Sequence, residues 1–405
     1  MRHIDESVLD ELRKAGDPVA DDLAAHYLGR NPAELFRDVV AYAGPGDSRL
    51  DPNIAAWLDR KSELPVWATP ERLERGSHFY NAHGIPLGMG LFLASLPLAY
   101  ASHDGVQVLA LTARLETNAR RRILETAQFV IDVTKPRALA AGGQGYETAR
   151  HVRLVHAGVR QLITTDTRIP LTDDASVWPR WDPAWGVPVN QEHLIGAMIS
   201  YSSSLLKVLD KLHVRYNADA AEDYCLLWSA VGWLMGIDEA VLPLVRADLD
   251  RLEPIIRARN EKPSAAGVEL TQALMETVRS FAKMPVLKNA HWPGSTAVPV
   301  ALMRMLIGDE TADLLQVRKA NWTKHLVRAM RPPKRRVSFG LARVKVLRLV
   351  VRRVVRTVFK GFVYTTRDGG RPSFDIPTSL GFGDPGPTPL RSALHKMRAG
   401  RTPKP

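Results

Sequence analysis

Tyr146 to Ile163 reads YETARHVRLVHAGVRQLI, and the fold turns on how that stretch is read. It has no proline, a single glycine (Gly158), and apolar residues at Val152, Val155, Val159, Leu162 and Ile163. That spacing predicts a helix with one buried face. His156 shares the face with Val152 and Val159, so an imidazole points inward. Arg153 and Arg160, three before and four after it, stack along the same side. Two readings stand. A lone histidine on an apolar helix face serves as a hydrogen-bonded core residue. Alternatively the imidazole ligates a metal while anionic groups reach both arginines; haem supplies both, an iron and two propionates.

Upstream, Gly105 to Val133 reads as one long helix, with Arg122 and Thr126 sharing a face four residues apart. Lys135-Pro136 ends it, and the Gly142–Gly145 loop leads into the His156 helix. Ile85 to Tyr100 (IPLGMGLFLASLPLAY) is the most apolar run. Two prolines and two glycines break it, and it reads as a buried segment too short to span a bilayer that lines a pocket. Downstream, Thr164 to Gln191 is loop-like, with Trp178, Trp181 and Trp185. Asn190-Gln191-Glu192 then opens a helix over HLIGAMISYSSSLLKVLDKLH, whose small residues permit close approach of another helix or a flat ligand. Asp219–Gly236 and segments near 239–257 and 264–282 add further helices. Short amphipathic helices are predicted in DESVLDELRKAG, in NPAELFRDVVAYAG, in LDPNIAAWLDRKSELP and from Pro70 to Gly84. No βαβ alternation, strand-period run or repeat occurs. The predicted class is all-α, divided into an N-terminal helical arm (1–60), a main domain (61–320) and a C-terminal segment with a Pro/Gly-rich tail (321–405).

Composition narrows the function. At 405 residues, 45% hydrophobic and 24% charged, the chain has an ordinary soluble composition. A single cysteine, Cys225, excludes a disulfide framework and cysteine-built zinc or iron–sulfur sites. The charged start MRHIDESVLDELRK has neither a secretory h-region nor a twin-arginine pattern, which sets a cytoplasmic expectation. The net charge of +12 is uneven, because Arg318 to Arg367 holds sixteen Lys or Arg and no acid. Within it, Val344, Leu347, Val351, Val354 and Val358 oppose a stripe of Arg348, Arg352 and Arg356. Such a helix docks on an anionic membrane surface or packs its valine face on the core. The interleaved valines suit lipid better than a nucleic-acid groove. No G-x-S-x-G occurs, and no carboxylate completes a bare-metal site with His151, His156 and His193.

Three motifs in order resemble the latex-clearing-protein (rubber oxygenase) family and its MpaB-type relatives. Arg122-Ile-Leu-Glu-Thr126 is similar to that family's R-x-x-x-T. Arg153-x-x-His156-x-x-x-Arg160 is similar to the signature around its haem-ligating histidine. Gly186 to Gln191 (GVPVNQ) is followed by Asp223-Tyr224-x-x-x-Trp228 and Leu234-Met-Gly236. The resemblance spans about residues 75 to 245. It implies a globin-like helical core holding haem b, with His156 as proximal iron ligand and Arg153 and Arg160 on the propionates. Arg122 and Thr126 would line the site, and His193 would stand at the haem edge. Family members cleave an isoprenoid C=C bond with O2, leaving carbonyl ends, so an apolar substrate is expected.

Two departures qualify that expectation. Rubber-degrading members carry a twin-arginine signal that this chain does not show, which argues against extracellular rubber. They can place a lysine before the motif threonine as a distal iron ligand; here the position is Glu125, which supplies a distal carboxylate or faces solvent. A haem protein without turnover, and a helical protein docking on anionic membrane through residues 318–367, remain the rival readings.

Overall fold

A computed structural model describes residues 4–25, 51–112, 115–165, 181–282 and 297–319. Among them the protein is all-α, with a lone bridge between Ser102 and Glu261 and no strand. The helices are α1 (Glu6–Arg13), α2 (Pro18–Ala25), α3 (Pro52–Asp59), α4 (Pro70–Ala82), α5 (Gly84–Ala101), α6 (His103–Thr112), α7 (Leu115–Val133) and α8 (Gln144–Thr165). They continue with α9 (Gln191–Tyr201), α10 (Ser203–Lys211), α11 (Ala218–Leu234), α12 (Arg246–Asn260), α13 (Ala265–Ala282), α14 (Ala297–Ile307) and α15 (Asp309–Leu314). The segment NPAELFRDVVAYAG, Trp178 and the basic stretch beyond Lys319 lie outside the described residues.

Side-chain caps set many of the starts. The carboxylates of Asp5 and Asp51 accept from Val8 N and Asn53 N, opening α1 and α3. The Asn190 amide oxygen accepts from His193 N at 2.9 Å, and Asn217 does the same for Ala220 at 2.9 Å. Each satisfies a backbone donor that the first turn leaves without an intrahelical partner.

The helix boundaries differ from expectation at two places. Ile85–Tyr100 is unbroken within α5, and at 18 residues that helix is long and apolar enough to cross a membrane by length and composition alone. It is instead packed within the bundle, against α10, α13 and α14. Pro86 sits in its first turn, where the missing N–H costs nothing. Ahead of Pro97 the helix widens into a π turn at Leu91–Ser95, with Leu96 N bonded to Leu91 O. Of Gly105–Val133, the described residues are helical throughout, in α6 and α7, and positions 113 and 114 lie outside them. The run from His193 onward divides at Ser202, whose backbone (φ −109°, ψ −96°) leaves the helical region.

One large core holds Val8, Leu9 and Leu12 of α1 together with residues of α4 to α14. Gly76 of α4 meets α11 so closely that a Cβ there would stand 2.5 Å from Asp223 O. Asp223 also takes Arg72 Nε and Arg75 Nε, both at 2.6 Å, and locks the crossing. Gln191 is a second clasp. Its amide donates to Gly16 O (2.7 Å) and Gly236 O (2.8 Å), and its Oε1 accepts from Asp238 N (2.9 Å). Cys225 is a buried core thiol.

Candidate active-site cavity

Helices α5 to α13 enclose a cavity of about 370 Å³. Its walls are mainly apolar, with Leu98, Val108, Phe129, Val152, Val155 and Val159 contributing. The i, i+3, i+7 spacing of Val152, Val155 and Val159 turns one stripe of α8 toward the space, and His156 borders the cavity beside it.

His193, on the first turn of α9, borders the same cavity. Its backbone N–H is consumed by the Asn190 cap, and neither ring nitrogen finds a hydrogen-bond partner among the described residues. Burial pushes the imidazole down to about 4, with Glu192 and Asp104 only partly opposing, so at neutral pH it is uncharged with one free lone pair.

From α7, Glu125 and Thr126 reach the cavity, and Glu125 is only 7% exposed. The sequence thus brings Glu125, Thr126, His156 and His193 to one space, from three helices. Arg122 lies on α7, one turn before Thr126; its side chain is outside the described set.

The two arginines are each paired with an acid. Arg153 donates Nε and Nη2 to Asp17 at 2.5 and 2.7 Å. Arg160 donates Nε to Asp21 at 2.6 Å and Nη1 to Val189 O at 2.9 Å. Neither is among the described residues that border the cavity. These cations are engaged by the acids of α2 and its N-cap, and they fasten α2 to α8. Each guanidinium holds a carboxylate, while Arg160 Nη2 is buried with no hydrogen-bond partner among the described residues.

Sequence reasoning passed over the group behind His193. Glu192 borders the cavity and is fully buried. It accepts from Arg13 Nε (2.9 Å), Arg259 Nε (3.0 Å) and Asn260 Nδ2 (2.8 Å). Burial works to raise its pKa, and the hydrogen bonds from Arg13, Arg259 and Asn260 outweigh it, holding the carboxyl below its usual range. In the sequence Glu192 is an acid in a helix's first turn, which reads as dipole complementarity. Nothing local announces partners far away in α1 and α12.

Residues 82–358 match the family described as ER-bound oxygenase mpaB/B'/rubber oxygenase, catalytic domain. The chain is 22% identical over 350 residues to the rubber oxygenase of Streptomyces sp. (strain K30), an alignment covering 82% of this chain and 76% of that one. Its fold is similar to the structure of latex clearing protein LCP in the closed state, with a TM-score of 0.71 at 19% identity over 93% of this chain and 95% of that one. With the family match spanning more than half of its length, the chain belongs to the MpaB/rubber oxygenase catalytic-domain family and is an oxygenase, acting with O2 on a small-molecule substrate.

Proposed function

We propose that the chain is a haem b-dependent oxygenase that cleaves a C=C bond of an apolar, isoprenoid-type substrate, with His156 as the proximal iron ligand. The observation that carries this reading is the meeting of His156 and His193, from two helices, at one apolar cavity in a member of this family. The donor set fits haem better than a bare ion. Among the described residues no group of three or more His, Cys, Asp or Glu side chains is placed to hold a metal, whereas a porphyrin needs one axial imidazole from the protein. The substrate class rests on the relative's name, rubber oxygenase, and on the apolar walls.

Haem b, when bound, supplies an iron that binds and activates O2. The protein's own contribution is legible around it. The valine stripe of α8 and Phe129 of α7 exclude water and favour an olefinic chain over polar competitors. Thr126 offers a hydroxyl and Glu125 a carboxyl from α7, within the same walls. His193 stays neutral and can donate or accept one hydrogen bond there without adding charge.

The test is an absorption spectrum of the purified chain, oxidised and dithionite-reduced, with a pyridine haemochrome assay. One haem b per chain is expected, lost in His156→Ala; a variant that keeps haem with an unchanged spectrum removes the ligand assignment. O2 uptake with carbonyl products from an added isoprenoid then checks the reaction.

A further inference from the structure

The cavity is not apolar throughout. At the end built by α10 and α12 it is bordered by Ser204 and Glu253, next to Tyr201 stacked on Trp228 with ring centroids 5.1 Å apart. Ser204 is only 5% exposed, and its Oγ has no hydrogen-bond partner among the described residues.

Neighbouring helical hydroxyls are satisfied by carbonyls of the preceding turn. Ser200 Oγ donates to Ala197 O and Ser202 Oγ to Met198 O, both at 2.7 Å. Ser204 makes no such bond. It stands in the first turn of α10, and the carbonyl four residues back, Ser200 O, already accepts Ser95 Oγ at 2.5 Å from the π turn of α5. A buried donor left unpaired is costly, so its persistence beside a cavity points to a partner supplied by the occupant.

Charge at this end fixes what kind of partner. Lys207, one turn after Ser204, donates Nζ to Glu253 Oε2 at 2.6 Å, and Arg257 Nη1 stands 3.9 Å from Glu253 Oε1. The carboxylate is thereby neutralised but keeps accepting capacity. An anionic head would meet Glu253, and a cationic one would meet Lys207 and Arg257. A neutral oxygen meets a donor in Ser204 and an acceptor in Glu253.

We infer that the substrate carries a neutral oxygen function, a hydroxyl or carbonyl, that is held at the Ser204–Glu253 end of the cavity, so the occupant is an oxygenated isoprenoid and not a bare hydrocarbon. This rests on the isoprenoid reading above and adds a polar end to it. Ser200, which precedes Ser204 across the break at Ser202, lies about 10 Å along α9 from His193 at 1.5 Å per residue. The oxygen function is therefore remote from His193, and it anchors the chain at the opposite end of α9.

The test is binding of farnesol and of farnesene to the full chain, followed by intrinsic tryptophan fluorescence, which needs neither haem nor turnover. Ser204→Ala is expected to weaken farnesol about tenfold while leaving farnesene unchanged. Ser204→Cys, with a weaker donor of similar size, falls between. Ser203→Ala serves as control: its Oγ is also buried without a partner, but Ser203 is not among the described residues bordering the cavity, and neither ligand should respond. If Ser204→Ala moves both ligands equally, or neither, the polar anchor is overturned while the isoprenoid site stands. If the wild type binds neither ligand, the isoprenoid reading falls and this inference with it.

Discussion

Replacing Glu192 with alanine removes a carboxylate that three side chains share at 2.8 to 3.0 Å. The carboxylate is wholly buried, while the side chains of Arg13 and Arg259 are 18% and 19% exposed. Removing one partner of a buried ionic cluster costs about 3–5 kcal/mol, because the opposite charges stay behind. Here the two guanidiniums keep partial access to water, and Asp104 stands 3.8 Å from Arg13 Nη1. Asp10 still accepts from Arg259 at 2.7 Å. The expected loss is therefore at the lower end, about 3 kcal/mol. Glu192→Gln keeps an acceptor and loses less. Guanidinium-chloride unfolding measures the difference, and hydrogen exchange should show the amides of α1 opening first, since Arg13 ties that helix to α9. The pH dependence follows from the lowered carboxyl pKa. The contribution is fully present above the ordinary glutamate range and is lost as pH falls through the depressed value, so variant and wild type converge in acid. A loss no larger than the roughly 0.5 kcal/mol typical of surface changes would refute the reasoning.

His193 gives a pH effect at a higher window. Its folded pKa lies near 4 against 6.5 unfolded, so the unfolded chain takes up a proton that the native state refuses, and stability falls as pH drops from about 6.5 toward 4. The limiting slope is about 1.4 kcal/mol per pH unit; urea midpoints across that range should show it in wild type and lose it in His193→Gln. Gly76→Ala places a methyl against Asp223 O and should cost about 1–3 kcal/mol by thermal unfolding; a neutral variant would mean that α4 and α11 separate freely. Arg153→Met and Asp17→Asn should share one phenotype, a loosened α2 with haem content little changed in the haemochrome assay. Loss of haem in the arginine variant alone would support the propionate role.

What could be read from the sequence was what local chemistry specifies. Asn190 announces α9 because a capping side chain acts within three residues. The His156 helix runs almost as its valine spacing predicts, Gln144–Thr165 against Tyr146–Ile163. The break at Ser202 carries no proline or glycine, so nothing at that position marks it. The π turn before Pro97 converts a residue that reads as a breaker into part of an unbroken helix, and proline rules alone do not anticipate it. The Glu192 cluster joins residues that the sequence holds 67 to 179 positions apart, beyond any local pattern.

The two arginines show where such reading stops, and the geometry says why. At about 100° per residue, Arg153 and Arg160 project roughly 60° and 40° to one side of His156. Sharing a face is therefore a statement good to about a sixth of a turn. On a helix lying between a cavity and a neighbouring helix, that angle separates the two. His156 and the valine stripe fall on the cavity side, while the guanidiniums fall on the flank covered by α2. There Asp17 and Asp21 meet them, an acid pair one turn apart that nothing in the sequence of α8 could reveal. Periodicity thus orders side chains around an axis but does not say which element each one faces. His156 and Glu125 both reach the cavity because α7 and α8 pack directly together and border it side by side.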